Sequence, residues 1–247
     1  MYPGVEVREK FNSRVARLVD KMKMSQTPVP GFIIGLSGTD SMLAFHICYE
    51  ACARMDMAHR VYGIHYVGEG NKPGWFQNEI MPFMREQFPE ARLEVKVPLG
   101  GNQDQQRWAD IHLRSLNLVG VDDIQPLEPK DRYWVVGTMN ATEAELGTYS
   151  ILSTACSVQP IRSLWKTEVI RISTVLEYPP IAIEMSHMPD CFCGRDELAA
   201  QNIEMLDLIL RYRIPHDTEG SLIVQLDTFI RENKEANAFK SRIPYVI

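Results

Sequence analysis

At 247 residues, 45% hydrophobic and 23% charged, the chain can bury a sizeable core and has ordinary globular composition. A formal charge of −6 with no long Lys/Arg block leaves no electrostatic footprint for duplex nucleic acid, so nucleic acid is not the expected partner. No apolar run reaches the length of a membrane span, and Met1-Tyr2-Pro3-Gly4 does not open a signal peptide, so the expectation is a cytoplasmic protein.

In chain order, Phe11, Val15, Leu18, Val19 and Met22 recur at helical spacing and predict an amphipathic helix over Val5 to Met24. A buried strand is expected from Gly31 to Gly35, then a turn, then a helix over Asp40 to Met55. Next come a strand over Arg60 to Tyr66, a helix over Trp75 to Phe88 and a strand over Ala91 to Val97. Pro98 to Asp104 reads as a loop, Gln105 to Leu118 as a helix, and Arg132 to Gly137 as a strand leading into a helix start at Asn140 to Leu146. From Lys166 onward the pattern is mostly helical, with Leu198 to Ile209 the clearest stretch. Strands alternating with helices predict an α/β fold with a doubly wound, mainly parallel sheet and a helical C-terminal part, in a single domain spanning 1–247. Ligands of such sheets bind at the carboxyl ends of the strands, where the first turn and Gly137-Thr138 both lie.

That first turn is the most informative segment. Gly35-Leu36-Ser37-Gly38-Thr39-Asp40-Ser41 joins an apolar strand to a helix N-terminus, and glycine, hydroxyls and free amides at such a junction make a phosphate cradle. The cysteines carry less. Five of them without framework spacing suit a reducing compartment, Cys48 and Cys52 read as buried residues on one helix face, and Cys191-x-Cys193 with Cys156 lacks the second ligand pair of a zinc site. His46 on the helix after the turn and His65 in an apolar strand read as core histidines, and His187 receives no catalytic role.

Three blocks in this order, the glycine turn, Val135-Val136-Gly137-Thr138-x-Asn140-x-x-Glu143 and Gln159-Pro160-Ile161-x-x-Leu164-x-Lys166-x-x-Val169, resemble the ammonia-dependent NAD synthetase family of N-type ATP pyrophosphatases. The tail Phe239-Lys240-Ser241-Arg242-Ile243-Pro244 is similar to that family's basic, proline-containing terminus. The resemblance implies an adenine nucleotide alpha-hydrolase-like fold and a homodimer. It also implies ATP cleavage between the α and β phosphates, with magnesium: the carboxylate of deamido-NAD is adenylated, pyrophosphate leaves, and ammonia displaces AMP. By the same resemblance Gly35, Leu36, Ser37, Gly38, Thr39, Asp40 and Ser41 cradle phosphate, Thr138 and Lys166 contact ATP, and Asp40 and Glu143 hold magnesium. Asp40, Glu143 and Lys166 are then the catalytic set, and His112, Arg114 and Lys240 face the acid substrate.

The chain also departs from the family. Its loop is one residue shorter than Ser-Gly-Gly-x-Asp-Ser, His112 stands where arginine is usual, and Ile151 replaces a lysine. An Asp-Gly-x-x-Asp segment is missing near Ser157 and Val158, and Phe239 occupies a histidine position. The ATP half is largely kept while the dinucleotide half has lost cations and polar groups. Three readings therefore stand open: amidation of deamido-NAD or another acid, a related N-type enzyme acting on a nucleotide or nucleobase, and a noncatalytic ATP-binding homologue. No glutaminase nucleophile is identifiable in these residues, so the expectation is that ammonia arrives free or from a separate protein.

Overall fold

In the computed structural model of the chain, residues 3–25, 29–67, 74–97, 103–116, 132–188, 197–212 and 222–242 are described. Four strands, β1 (Gly31–Leu36), β2 (Val61–Tyr66), β3 (Arg92–Lys96) and β4 (Tyr133–Val135), form one sheet in the order β3-β2-β1-β4. Each pairing is parallel, with Phe32 opposite Val61 and Trp134, and Tyr62 opposite Arg92. Among the described residues one further parallel bridge, Val136 to Val158, continues the edge beyond β4. The chain runs outward from β1 to β2 and β3, then crosses back to place β4 on the other side of β1. The reversal makes the carboxyl ends of β1 and β4 a topological switch point.

Alternation along β1 sorts the two faces. Phe32, Ile34 and Leu36 join the larger core with α1 (Pro3–Met24), α2 (Thr39–Ala53) and α6 (Lys166–Val175), while Ile33 faces Ile111 of α4 (Gln103–Ser115) on the other side. Because α2 is enclosed by sheet and helices, residues all round it are buried rather than one stripe. Three more helices, α8 (Glu197–Gln201), α9 (Ile203–Tyr212) and α10 (Leu222–Asn237), pack Ala199, Ile203, Leu206, Leu226 and Phe229 against Leu146 of α5 (Ala141–Leu146). Gly147, in the left-handed conformation at φ 73°, ends α5, as glycine does where a side chain would be strained.

The sequence-based reading is corrected at several boundaries. Trp75 to Phe88 is a π-helical turn, Phe76–Ile80, followed by α3 (Met81–Gln87), so no uniform α-helix spans it. Leu198 to Ile209 divides at Asn202 into α8 and α9. Strand β4 stops at Val135; Val136 N still donates to Ile33 O of β1 at 3.0 Å, and Gly137 N donates to Val158 O at 2.9 Å. Asn140 precedes α5 as its N-cap. The remaining C-terminal helix, α7 (Pro180–Met185), starts on a proline. The expected loop at 98–104 and the residues Cys191, Cys193 and Pro244 lie outside the described residues in whole or part.

Candidate active site

The site is built where the chain leaves β1 and β4. After Leu36, Ser37 and Gly38 carry the backbone into α2, and Ser41 in the first turn organises the bend: its hydroxyl accepts from Ser37 N (2.9 Å) and Gly38 N (3.1 Å) and donates to Gly38 O (2.8 Å). A serine hydroxyl has one donor and two acceptor positions, so all three are used within the loop. Gly38 is extended (φ −179°), and a Cβ built there would meet no atom within 4 Å, so its Cα faces open space beside the amides of the first helical turn. Those amides have no intrahelical acceptor, and the helix dipole adds positive potential. The arrangement suits an anion. Thr39 differs from the expectation of a phosphate-facing hydroxyl, because its Oγ1 donates to Ala182 O at 2.5 Å and meets Ser186 Oγ at 2.5 Å, tying α2 to α7.

Asp40 is the hub. The Lys166 ammonium bonds one carboxylate oxygen, and Asn140 Nδ2 donates to the other at 2.9 Å. Lys166 opens α6 and is only 3% exposed, an uncommon burial for lysine that its carboxylate partner accounts for. Asn140 also caps α5: its side chain accepts from Glu143 N at 2.9 Å, and Glu143 Oε2 accepts from Asn140 N at 3.2 Å, a reciprocal capping box. Asp40 and Glu143 thus share Asn140 as a neighbour. Carboxylates are the hard oxygen donors that magnesium takes, although among the described residues no group of three His, Cys, Asp or Glu side chains converges. Asn140, Thr142, Glu143, Leu146, Thr148, Lys166, Ile203 and Leu206 line a cleft beside this group.

Thr138 lies half-buried on the same connection as Asn140. Gly35 and Leu36 belong to β1, and a Cβ on Gly35 would come within 3.0 Å of Ile111. The three residues expected to face the acid are not joined to Asp40 by any described bond. Arg114 donates to Asp110 (2.9 Å), Tyr62 (2.5 Å) and Glu94 (3.1 Å), within a network that also holds Lys96 and Tyr66 on Asp110. Burial works against its charge, but Tyr62, Asp110 and Glu94 more than offset this and raise its pKa. Lys240 Nζ donates to Gly147 O and Tyr149 O, each at 2.8 Å, and so closes the carboxyl end of α5. His112 tilts against Trp108, with ring centroids 6.2 Å apart.

Asn140, Thr142 and Asp207 escaped the candidate set. The Asn-x-x-Glu spacing at 140–143 was a readable capping signal. Asp207, 1% exposed on α9, accepts from Thr142 Oγ1 (2.5 Å), Thr167 N (2.9 Å) and Thr167 Oγ1 (2.8 Å). Burial pushes its pKa up against the pull of those donors and of Arg211. No local pattern announces it. His65 is a buried core group that donates to Leu36 O at 3.0 Å while stacking on Phe76, whereas His46 is half-buried, with Nδ1 3.1 Å from the Tyr178 hydroxyl and Nε2 3.8 Å from Glu50. Cys48 and Cys52 are buried, and burial raises both thiols, Cys52 to about 12, which leaves them inert as nucleophiles at neutral pH.

No protein-family model matches the chain. The NH3-dependent NAD+ synthetase of Wolinella succinogenes is 23% identical over 268 residues, covering 93% of each chain. The NH3-dependent NAD synthetase of Campylobacter jejuni, solved with a nitrate ion, superposes with a TM-score of 0.62 at 19% identity over 98% of both chains. The NMN synthetase of Francisella tularensis gives 0.67 at 17% identity, again over 98% of both. In sequence and in fold, over nearly its whole length, the chain is similar to NH3-dependent NAD synthetases, the family that its motifs resemble.

Proposed function

We propose that the protein is an ATP-dependent amide-forming ligase: it adenylates a carboxylate, releases pyrophosphate, and forms an amide from ammonia. The observation that carries this reading is the convergence of Asp40, Asn140, Glu143 and Lys166 at the switch point, beside the open N-terminus of α2. In the first step a carboxylate oxygen of the acid bonds to the α-phosphorus and the bond to the β-phosphate oxygen breaks. In the second, ammonia adds to the acyl carbon, loses a proton and expels AMP.

Each step makes modest demands on the protein. The amides of the first turn of α2 and the Lys166 ammonium are proposed to stabilise the departing pyrophosphate. Asp40 and Glu143 would hold magnesium, which would neutralise phosphate charge. Asn140 keeps the Asp40 carboxylate aimed beside Lys166. The protein is proposed to act as one domain in a homodimer, in keeping with exposed Leu113 and Leu116 at the end of α4.

Deamido-NAD is the first candidate acid. A mononucleotide acid, the precursor of NMN, is favoured as the second reading because Arg114 and Lys240, two cations expected to meet the dinucleotide, are already bonded to the protein's own carboxylates and carbonyls. Likeness in fold to an enzyme named for NMN supports it further. Mass spectrometry of reactions with 15N-ammonia, ATP and either acid tests both. A labelled amide from deamido-NAD supports the first reading, a labelled amide from the mononucleotide alone supports the second, and none from either contradicts the proposal.

A further inference from the structure

The N-terminus of α6, which presents Lys166, has only half a capping box of its own, in which Glu168 Oε2 accepts from Trp165 N at 2.9 Å. Trp165 stands at the N-cap, and an indole offers only a donor. The amides of the first two helical residues take their acceptors from elsewhere: Lys166 N donates to Thr142 Oγ1 at 2.9 Å, and Thr167 N donates to Asp207 Oδ2 at 2.9 Å. Thr142 in turn donates its hydroxyl proton to Asp207 Oδ1 at 2.5 Å. One carboxylate therefore joins the starts of two helices, α5, whose N-cap Asn140 holds Asp40, and α6, whose first residue is Lys166.

A carboxylate that is 1% exposed is an expensive way to tie helices together, because a well-packed apolar residue of similar size commonly stabilises as much or more. What it provides is register. The ammonium of a four-carbon side chain is placed only as well as its backbone is fixed, and misplacement of about 1 Å near reacting atoms costs about 10²-fold in rate. We infer that Asp207 is a positioning residue which, through Thr142 and the first amides of α6, sets Lys166 and Asn140 against Asp40. The inference rests on Lys166 serving the phosphates as proposed above, but the placement itself is measurable without substrate.

The test compares wild type with Thr142→Ser, Thr142→Val and Asp207→Asn, all shown to be folded by thermal melting. In nucleotide-free protein, the rate of Lys166 acetylation by an N-hydroxysuccinimide ester is followed by peptide mass spectrometry, with exposed Lys23 as the internal reference. Serine keeps the bridging hydroxyl and leaves Lys166 as protected as in wild type. Valine and asparagine break or weaken the bridge and speed labelling of Lys166 about tenfold relative to Lys23. In turnover the same two variants lose kcat by about 10²-fold while KM for the acid stays within about twofold, and Thr142→Ser restores kcat. Equal Lys166 labelling in all four proteins overturns the inference whatever their activity. Absence of turnover in wild type counts against the ligase reading alone, and the labelling comparison still decides this one. Should Asp207→Asn fail to fold, the Thr142 pair gives the same decision.

Discussion

Substituting alanine for Gly38 separates folding from phosphate binding, because the two effects have opposite signs. The backbone at Gly38 is extended, a conformation open to any residue, and the new methyl would meet nothing within 4 Å. In the folded protein the change is therefore tolerated, and the smaller conformational freedom of the unfolded chain adds about 0.4–1 kcal/mol of stability. For a domain of this size that is about 1–4 °C in Tm. The same methyl projects into the space that a phosphate must enter. Amide-to-phosphate bonds form at about 2.9 Å, whereas a methyl carbon keeps neighbours at about 3.5 Å. Loss of one charge-assisted bond removes about 1.5–3 kcal/mol, or about 10- to 150-fold in ATP affinity. Calorimetric titration of ATP alongside thermal melting reads both quantities. Unchanged ATP affinity at unchanged or raised Tm would mean that the phosphates do not lie against this turn.

Three further outcomes follow from the geometry. Lys166→Met abolishes pyrophosphate release and lowers stability by about 2–3 kcal/mol in urea unfolding, less than for a fully enclosed pair because Asp40 is partly exposed. Gly137→Ala destabilises by about 1–3 kcal/mol, since its Cβ would lie 2.8 Å from Cys156 Sγ, and adding Cys156→Ala recovers part of the loss. Glu168 is held below its ordinary value of 4.5: burial pushes it up, but bonds from Trp165 N and Lys10 and the charge of Arg211 outweigh that. A depressed carboxylate stabilises the fold above its unfolded pKa and loses that contribution as pH falls. Glu168→Gln is thus less stable by about 1 kcal/mol at pH 7, a gap that closes below pH 4.5. A gap that persists or widens in acid would assign the effect to packing.

What could be read from the chain was local. The strand before Ser37, the turn and the helix after it follow from hydrophobic period and glycine placement, and the whole sheet was legible as alternating elements. Side-chain commitments that cross the fold were not. Thr39 reads as a phosphate hydroxyl until α7 is seen to supply Ala182 O and Ser186 Oγ. Arg114 reads as a substrate cation until β2 and β3 bring Tyr62 and Glu94 beneath it. Asp207 gave no signal, because it caps a helix forty residues earlier in the chain. The π-helical turn at Phe76 was hidden as well, since its composition is that of an ordinary helix.

The most direct measurement is the fate of ATP. Purified protein is incubated with ATP, magnesium and ammonia, with deamido-NAD or its mononucleotide counterpart present or omitted, and the products are compared with those of Asp40→Ala. AMP and pyrophosphate in equal amounts, formed only when an acid is present and lost in Asp40→Ala, are the predicted result. Formation of ADP and phosphate, or no acid-dependent AMP under any of these conditions, would contradict an adenylating ligase.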